Sequence, residues 1–293
     1  MTARTKSALF ATLLFVLSFA GSVLAGNRVQ AARGREATLE DVLYISSSKT
    51  LKRMSLGYSS LMGNIYWTRA VQYFGSRVQR STRFDLLPKL LEITTDLDPH
   101  LIPAYENGSI FLSQKIPYGA GRPDQAVALL EKGIRENPDN WHLYFTLGFI
   151  QYWDRYDYKA AQDAFERGAQ VPGALPYLKI MAARMAEKAT DPATAIAMWK
   201  AIYDSSTNPD VRDTAIKHVD SLGADIQIAE LSGRIASYRQ KTGSWPSTWA
   251  DLIRSGLLPG VPLDPTGAAY ILEAYGQIEV QDRKRLPFVG EAR

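Results

Sequence analysis

Two short stretches invite a chemical reading first. Ser46 and Lys49 stand three residues apart, and Lys241-Thr242-Gly243 follows far downstream. A serine one helical turn from a lysine, faced by a Lys-Thr-Gly strand, is how one class of acyl-transfer enzyme arranges its nucleophile and base. The pattern is incomplete here. Its Ser-Asx-Asn element is missing, and Lys241-Thr242-Gly243 precedes Trp245-Pro246 at a helix end rather than on a core strand. No phosphate-cradling Walker loop, no G-x-S-x-G elbow and no H-E-x-x-H zinc helix occurs. His100, His142 and His218 are far apart, and no carboxylate cluster at ligand spacing accompanies them. Asp96 and Asp98 belong to a helix end before Pro99 rather than to an acid–base pair. The absence of Cys excludes disulfides, zinc–thiolate sites and thiol catalysis. The expectation is a protein that is not an enzyme and needs neither cofactor nor metal.

Chemistry of a different kind, recognition, is better represented. Phe145, Phe149 and Tyr152 follow one another at spacings of four and three, which puts them on one stripe of a helix, with Trp153 beside it. Leu143, Tyr144, Leu147, Gly148 and Ile150 fill the other side of that helix, the side that packs. The aromatic stripe is then either covered by the next element or open as an apolar groove. Arg184 and Lys188 lie four apart, one helical turn, where two cations can clamp an acidic group or simply face water.

The elements that position these residues recur. Ala126, Leu130, Gly133 and Pro138 form one block; Ala161, Phe165, Gly168 and Pro172 form the next; Ala195, Trp199, Ile202 and Pro209 form a looser third. An apolar, helix-length segment precedes each: Ala104–Phe111, Leu143–Tyr152 and Tyr177–Met185. A period of about 35 residues points to an array of helical hairpins rather than a closed globule. Small residues let helices approach, large ones fill the gaps, and Pro ends each unit.

Tyr144, Leu147, Gly148, Ala161, Phe165 and Gly168, with Tyr105, Gly108, Phe111, Ala126, Leu130, Gly133 and Pro138, resemble the tetratricopeptide repeat. A degenerate upstream unit contains Tyr66, Ala70, Tyr73, Leu87 and Leu91. The resemblance implies a mostly α fold: a right-handed solenoid of about four hairpins over residues 54–222, best formed over 101–208. It also implies a concave groove for a protein or peptide partner. The family's groove positions fall on Tyr105, Ser109 and Leu112 in the first unit. They fall on His142, Phe145, Phe149, Tyr152 and Trp153 in the second, and on Tyr177, Arg184, Glu187 and Lys188 in the third.

The ends are of other kinds. Arg4 and Lys6 precede an uncharged, largely apolar run from Ser7 to Ala25. A span of about 18–20 apolar residues just crosses a bilayer. Val23-Leu24-Ala25 also suits signal-peptide cleavage, so residues 1–26 are an anchor or a signal peptide, and 27–53 a juxtamembrane spacer. At the other end, Asp210–Leu222 reads as a short helix ending near Gly223, and Ala224–Lys241 as a longer one. Ser247–Ser255 reads as a third helix, and Ala269–Leu272 and Gln277–Val280 as short strands. Within 223–293, Tyr238, Gly243, Trp245-Pro246, Asp264-Pro265, Gly267 and Tyr270 resemble the head of type II secretion pseudopilins. That implies a small α+β appendix and, as possible partners, pilin-like subunits. The pilin N-terminal signature is absent.

The layout is similar to tetratricopeptide proteins of the bacterial envelope. It implies a single-pass inner-membrane scaffold with a periplasmic bulk, exported outright if residues 1–25 are cleaved. An accessory role in a secretion or pilus-type machine is the alternative. The net charge of +4 is scattered and indicates no nucleic-acid partner. A phosphatase fused to the C-terminus is expected to be active in intact cells and to stay with the membrane fraction; an inactive fusion would reverse the topology.

Overall fold

The computed structural model describes residues 47–80 and 84–291, together with Ser18. The expected anchor and most of the spacer lie outside the described residues. Among the described residues no helix is long and apolar enough to cross a membrane. The chain is mostly helical. Its helices are α1 (Ser48–Met54), α2 (Ser59–Arg80), α3 (Leu87–Leu97), α4 (Ile102–Ser113), α5 (Pro123–Glu136) and α6 (Trp141–Trp153). There follow α7 (Tyr158–Ala169), α8 (Tyr177–Lys188), α9 (Pro192–Ser205), α10 (Pro209–Thr242) and α11 (Trp249–Arg254). A two-stranded hairpin, β1 (Ile271–Leu272) and β2 (Ile278–Glu279), comes last.

Local chemistry sets the helix starts. Pro occupies the first turn of α3, α4, α5, α9 and α10, where its missing N–H costs nothing. The side chains of Asn140, Asp157, Asp191 and Asn208 accept from backbone N–H groups that the first turns of α6, α7, α9 and α10 leave unpaired. Just before α5, α7 and α9, one residue turns into the left-handed region: Gly121, Tyr156 and Thr190. These turns recur about every 35 residues, as the side-chain blocks do.

From α2 to α10 each helix packs chiefly on its neighbours in sequence. Alternate helices are also tied together. Lys132 on α5 donates to Asp96 on α3 at 2.5 Å, and Arg167 on α7 donates to Glu131 on α5 at 3.2 Å, both across 36 residues. Burial opposes ionisation of Asp96, but the hydrogen bonds from Lys132 and Ser48 outweigh it and hold the carboxyl below the usual range.

Two sequence expectations need correcting. Gly223 does not end a helix: α10 runs 34 residues straight through it. Gly stops a helix when the chain turns left-handed there, as at Gly243 (φ 78°), and Gly223 does not turn. It instead lets the C-terminal region come close, since a Cβ would lie 3.3 Å from Pro265 Cγ. The strands are also shorter than the alternating stretches, pairing Ile271 with Glu279 and Leu272 with Ile278. The C-terminal half of α10, α11 and the hairpin share a core of Ile228, Ile235, Trp249, Leu252, Tyr270 and Leu286. Trp249 Nε1 donates to the Tyr270 carbonyl at 2.8 Å, and Tyr270 Oη donates to Gln227 at 2.7 Å.

Gly148 on α6 lies directly against α7. A Cβ there would lie 2.6 Å from the Phe165 ring. Gly148→Leu is therefore expected to cost about 3 kcal/mol, the upper part of the range for overpacked sites. Thermal melting would read this directly; an unchanged midpoint would mean the two helices have room to part.

Candidate functional site

The aromatic stripe of α6 splits into covered and open parts. Leu143, Tyr144, Leu147 and Ile150 are buried in the main core, and Gly148 is buried with them. Phe145 and Tyr152 are half-buried, packed on the cluster of Phe165, Met181 and Met185 from the following helices. Phe149 and Trp153 stay open, with relative exposures of 43% and 61%. Their rings stack at 6.3 Å and 13°, and Phe145 and Tyr152 flank Phe149 at 6.0 and 6.3 Å. Stacking of this kind holds the rings in place without removing them from water.

Phe145, Phe149 and Trp153 form one wall of a cleft of about 780 Å³ between α4 and α6. The facing wall comes from Ile110, Ser113 and Gln114 on α4 and its end, and from Lys115 and Tyr118 beyond it. The loop after α4 folds back on its own helix: Ala120 donates to Phe111, Gly121 to Gln114 and Arg122 to Leu112, at 2.7–2.9 Å. Gly119 permits this, because a Cβ there would lie 2.6 Å from the Gln114 carbonyl oxygen. At the other end of α4, burial pushes the Glu106 carboxyl up while His142 opposes the shift. His142 is exposed and stacks on Trp141 at 3.6 Å.

The aromatic row continues toward the third unit. Tyr152 meets Tyr158 on α7 at 6.1 Å, and Lys188 on α8 lies over the Tyr158 ring at 5.9 Å. Arg184, one turn earlier, is exposed. Glu187 is not a groove residue. It accepts from Trp199 Nε1 at 2.5 Å and lies 2.8 Å from His218 Nδ1.

The first unit departs most from expectation. Tyr105 is fully buried, as are Ser109 and Leu112, so none is offered to a partner. The Tyr105 ring lies against Gly133 of α5, where a Cβ would be 2.7 Å away. Its hydroxyl has no hydrogen-bond partner of good geometry. Burial, reinforced by the charge of Glu136, pushes its pKa to about 12. In place of these residues the first unit offers Ile110, Lys115 and Tyr118. The signal available in the sequence was an aromatic, Tyr118, in the stretch between Phe111 and Ala126.

No family model matches the chain, and no curated protein is similar to it. The chemistry of the cleft therefore has to be read from its own residues. It is aromatic and aliphatic, with Lys115 and Asp154 at its edge. Such a lining buries apolar side chains and orients them through a few polar groups. Elsewhere, Lys241-Thr242-Gly243 forms the end of α10 and its cap, and no strand. Among the described residues no group of three His, Cys, Asp or Glu is placed to hold a metal ion.

The burial pattern separates the two kinds of aromatic experimentally. Phe149→Ala with Trp153→Ala is expected to leave cooperative melting within about 1 kcal/mol of the parent, as for surface sites. Tyr105→Ala should cost about 3–5 kcal/mol, as for other large core rings. Tyr105→Phe, which removes only an unpaired hydroxyl, should cost almost nothing. Unfolding of the double variant in a melting experiment would mean that Phe149 and Trp153 are core.

Proposed function

We propose that this protein is a non-enzymatic, membrane-attached scaffold of the bacterial envelope, built as a tetratricopeptide-like array that holds a protein partner in the α4–α6 cleft. The stacked, exposed pair Phe149–Trp153 carries this reading. Two large rings kept in water, beside a helix face that already supplies the packing, are what an interface anchor needs before its partner arrives. The recurring left-handed turns before α5, α7 and α9 support a repeat array, and so do the ion pairs spanning 36 residues. The apolar run Ser7–Ala25 behind Arg4 and Lys6 supports membrane attachment.

The partner is a short segment with an apolar side chain for the Phe149–Trp153 wall and an acidic group for Arg184 and Lys188. The row Tyr152–Tyr158–Lys188 joins the two regions. Selection of random displayed peptides on the detergent-solubilised full chain tests this. Apolar–acidic sequences are expected to be enriched, and Phe149→Ala with Trp153→Ala to weaken their binding on the order of thirtyfold, as loss of about 2 kcal/mol at an anchor requires. Equal binding by the double variant would remove the cleft from consideration.

A further inference from the structure

A second surface, at the opposite end of the array, has different chemistry. Between Asp41 and Asp85 the sequence has no Asp or Glu but seven Lys and Arg. This stretch includes α1 and α2. The turn between them is apolar and open: Met54, Leu56, Tyr58 and Leu61 have relative exposures of 62, 86, 70 and 59%. Leu56 is in the left-handed region (φ 48°), a strained conformation for a leucine, and Gly57 follows at φ 96°. The chain thus takes up strain at the point where it holds a large apolar side chain out in water.

Charge surrounds this tip. Lys52 and Arg53 immediately precede Met54, and both are exposed. Lys49 and Lys52 also border a cleft of about 610 Å³ with Lys89 and Lys132. Asp96 and Glu136 are the acids of that cleft, and Asp96 is taken up by Lys132 and Ser48. Beyond the tip, the outward face of α2 carries exposed Ile65, Thr68 and Gln72 and no acid.

We infer that the α1–α2 turn is a membrane-contact surface: Met54, Leu56, Tyr58 and Leu61 enter the interfacial layer of an anionic phospholipid bilayer, and Lys49, Lys52 and Arg53 bind its headgroup phosphates. Exposed apolar side chains beside exposed cations are the two elements of interfacial binding. A protein partner covering the tip would have to meet Lys49, Lys52 and Arg53 with acidic groups at fixed places, whereas a bilayer of acidic lipid presents them over any area. Position in the chain agrees. The residues between Ala25 and Ser47 span at most roughly 75 Å, at about 3.5 Å per residue, so this end of the array is the one tethered nearest the apolar run. The contact rests on the proposed membrane attachment for that tether alone.

The absence of Cys makes the test direct. Leu56→Cys in the full chain carries an environment-sensitive fluorophore, and Gln170→Cys carries it as a control. The labelled protein is combined with nanodiscs of phosphatidylcholine, alone or mixed with phosphatidylglycerol. At position 56 the emission is expected to shift to the blue in phosphatidylglycerol discs and far less in phosphatidylcholine discs. High salt should reverse the shift, and so should Lys49→Gln with Lys52→Gln and Arg53→Gln; position 170 should not respond. Disc-bound protein whose position 56 stays aqueous would overturn the contact while leaving the attachment intact. A blue shift that is independent of lipid charge and disappears at one copy per disc would overturn it in favour of a second copy of the chain.

Discussion

The array depends on how closely its helices approach over glycine. A Cβ at Gly108 would lie 2.7 Å from Leu91, at Gly133 2.7 Å from Tyr105, at Gly148 2.6 Å from Phe165, and at Gly168 2.7 Å from Tyr144. In each case one helix gives up a side chain and its neighbour fills the place with a large one. In α6 and α7 the exchange is mutual: Tyr144 lies on Gly168, and Phe165 lies on Gly148. Interiors packed to this density transmit small displacements rather than absorbing them. This spacing is also why the outer stripe of α6 can stay open. The inner contact is already complete, and Phe149 and Trp153 have no gap left to fill.

The far end of the array is closed by contacts of another kind. His218 on α10 is sandwiched between Trp199 at 4.0 Å and Phe288 at 3.7 Å, with all three rings nearly parallel. Glu187 on α8 receives Trp199 and faces His218. Phe288 and Gly290 then hydrogen-bond through their backbone N–H groups to Ser221 and Asp225 on α10. Four separate parts of the chain thus meet at one partly polar core, in which the half-buried Glu187 carboxylate accepts from Trp199. The C-terminal segment is therefore packed onto the helical array as well as joined to it through α10.

Charge is distributed unevenly along this architecture. In the middle, acids and bases alternate across neighbouring units, and pairs such as Lys132–Asp96 and Arg167–Glu131 satisfy one another. Surface pairs of this type add little stability individually, but they leave the central faces close to neutral. The stretch between Asp41 and Asp85, which contains α1 and α2, supplies seven Lys and Arg and no acid; the acids beside α1, Asp96 and Glu136, come from α3 and α5. The aromatic cleft and the basic apolar tip consequently differ in chemistry.

The helical character of the chain was legible in the sequence, because apolar residues recur there at helical spacing. Ala126, Ala161 and Ala195 are fully buried, as the recurring blocks required. Spacing also separated the packing side of α6 from a second, aromatic stripe, but did not decide whether that stripe is covered: Phe145 and Tyr152 are packed, Phe149 and Trp153 are open. The helix expected over Ser247–Ser255 is present as α11, capped by Thr248, and α10 ends in the turn at Gly243; capping and turn chemistry are local. Burial across units was not legible. Tyr105 falls on a groove position of the repeat pattern, yet it is fully buried. Only the approach of Gly133, 28 positions on, turns its ring inward. Tyr118 reaches the cleft because a loop folds back on α4, and Gly223 stays helical because no left-handed turn interrupts it. Local sequence determined where helices begin, how they repeat and which faces are apolar. Which apolar face meets water was decided by contacts between residues distant in the chain, because exposure belongs to the packed assembly of helices and to no single helix.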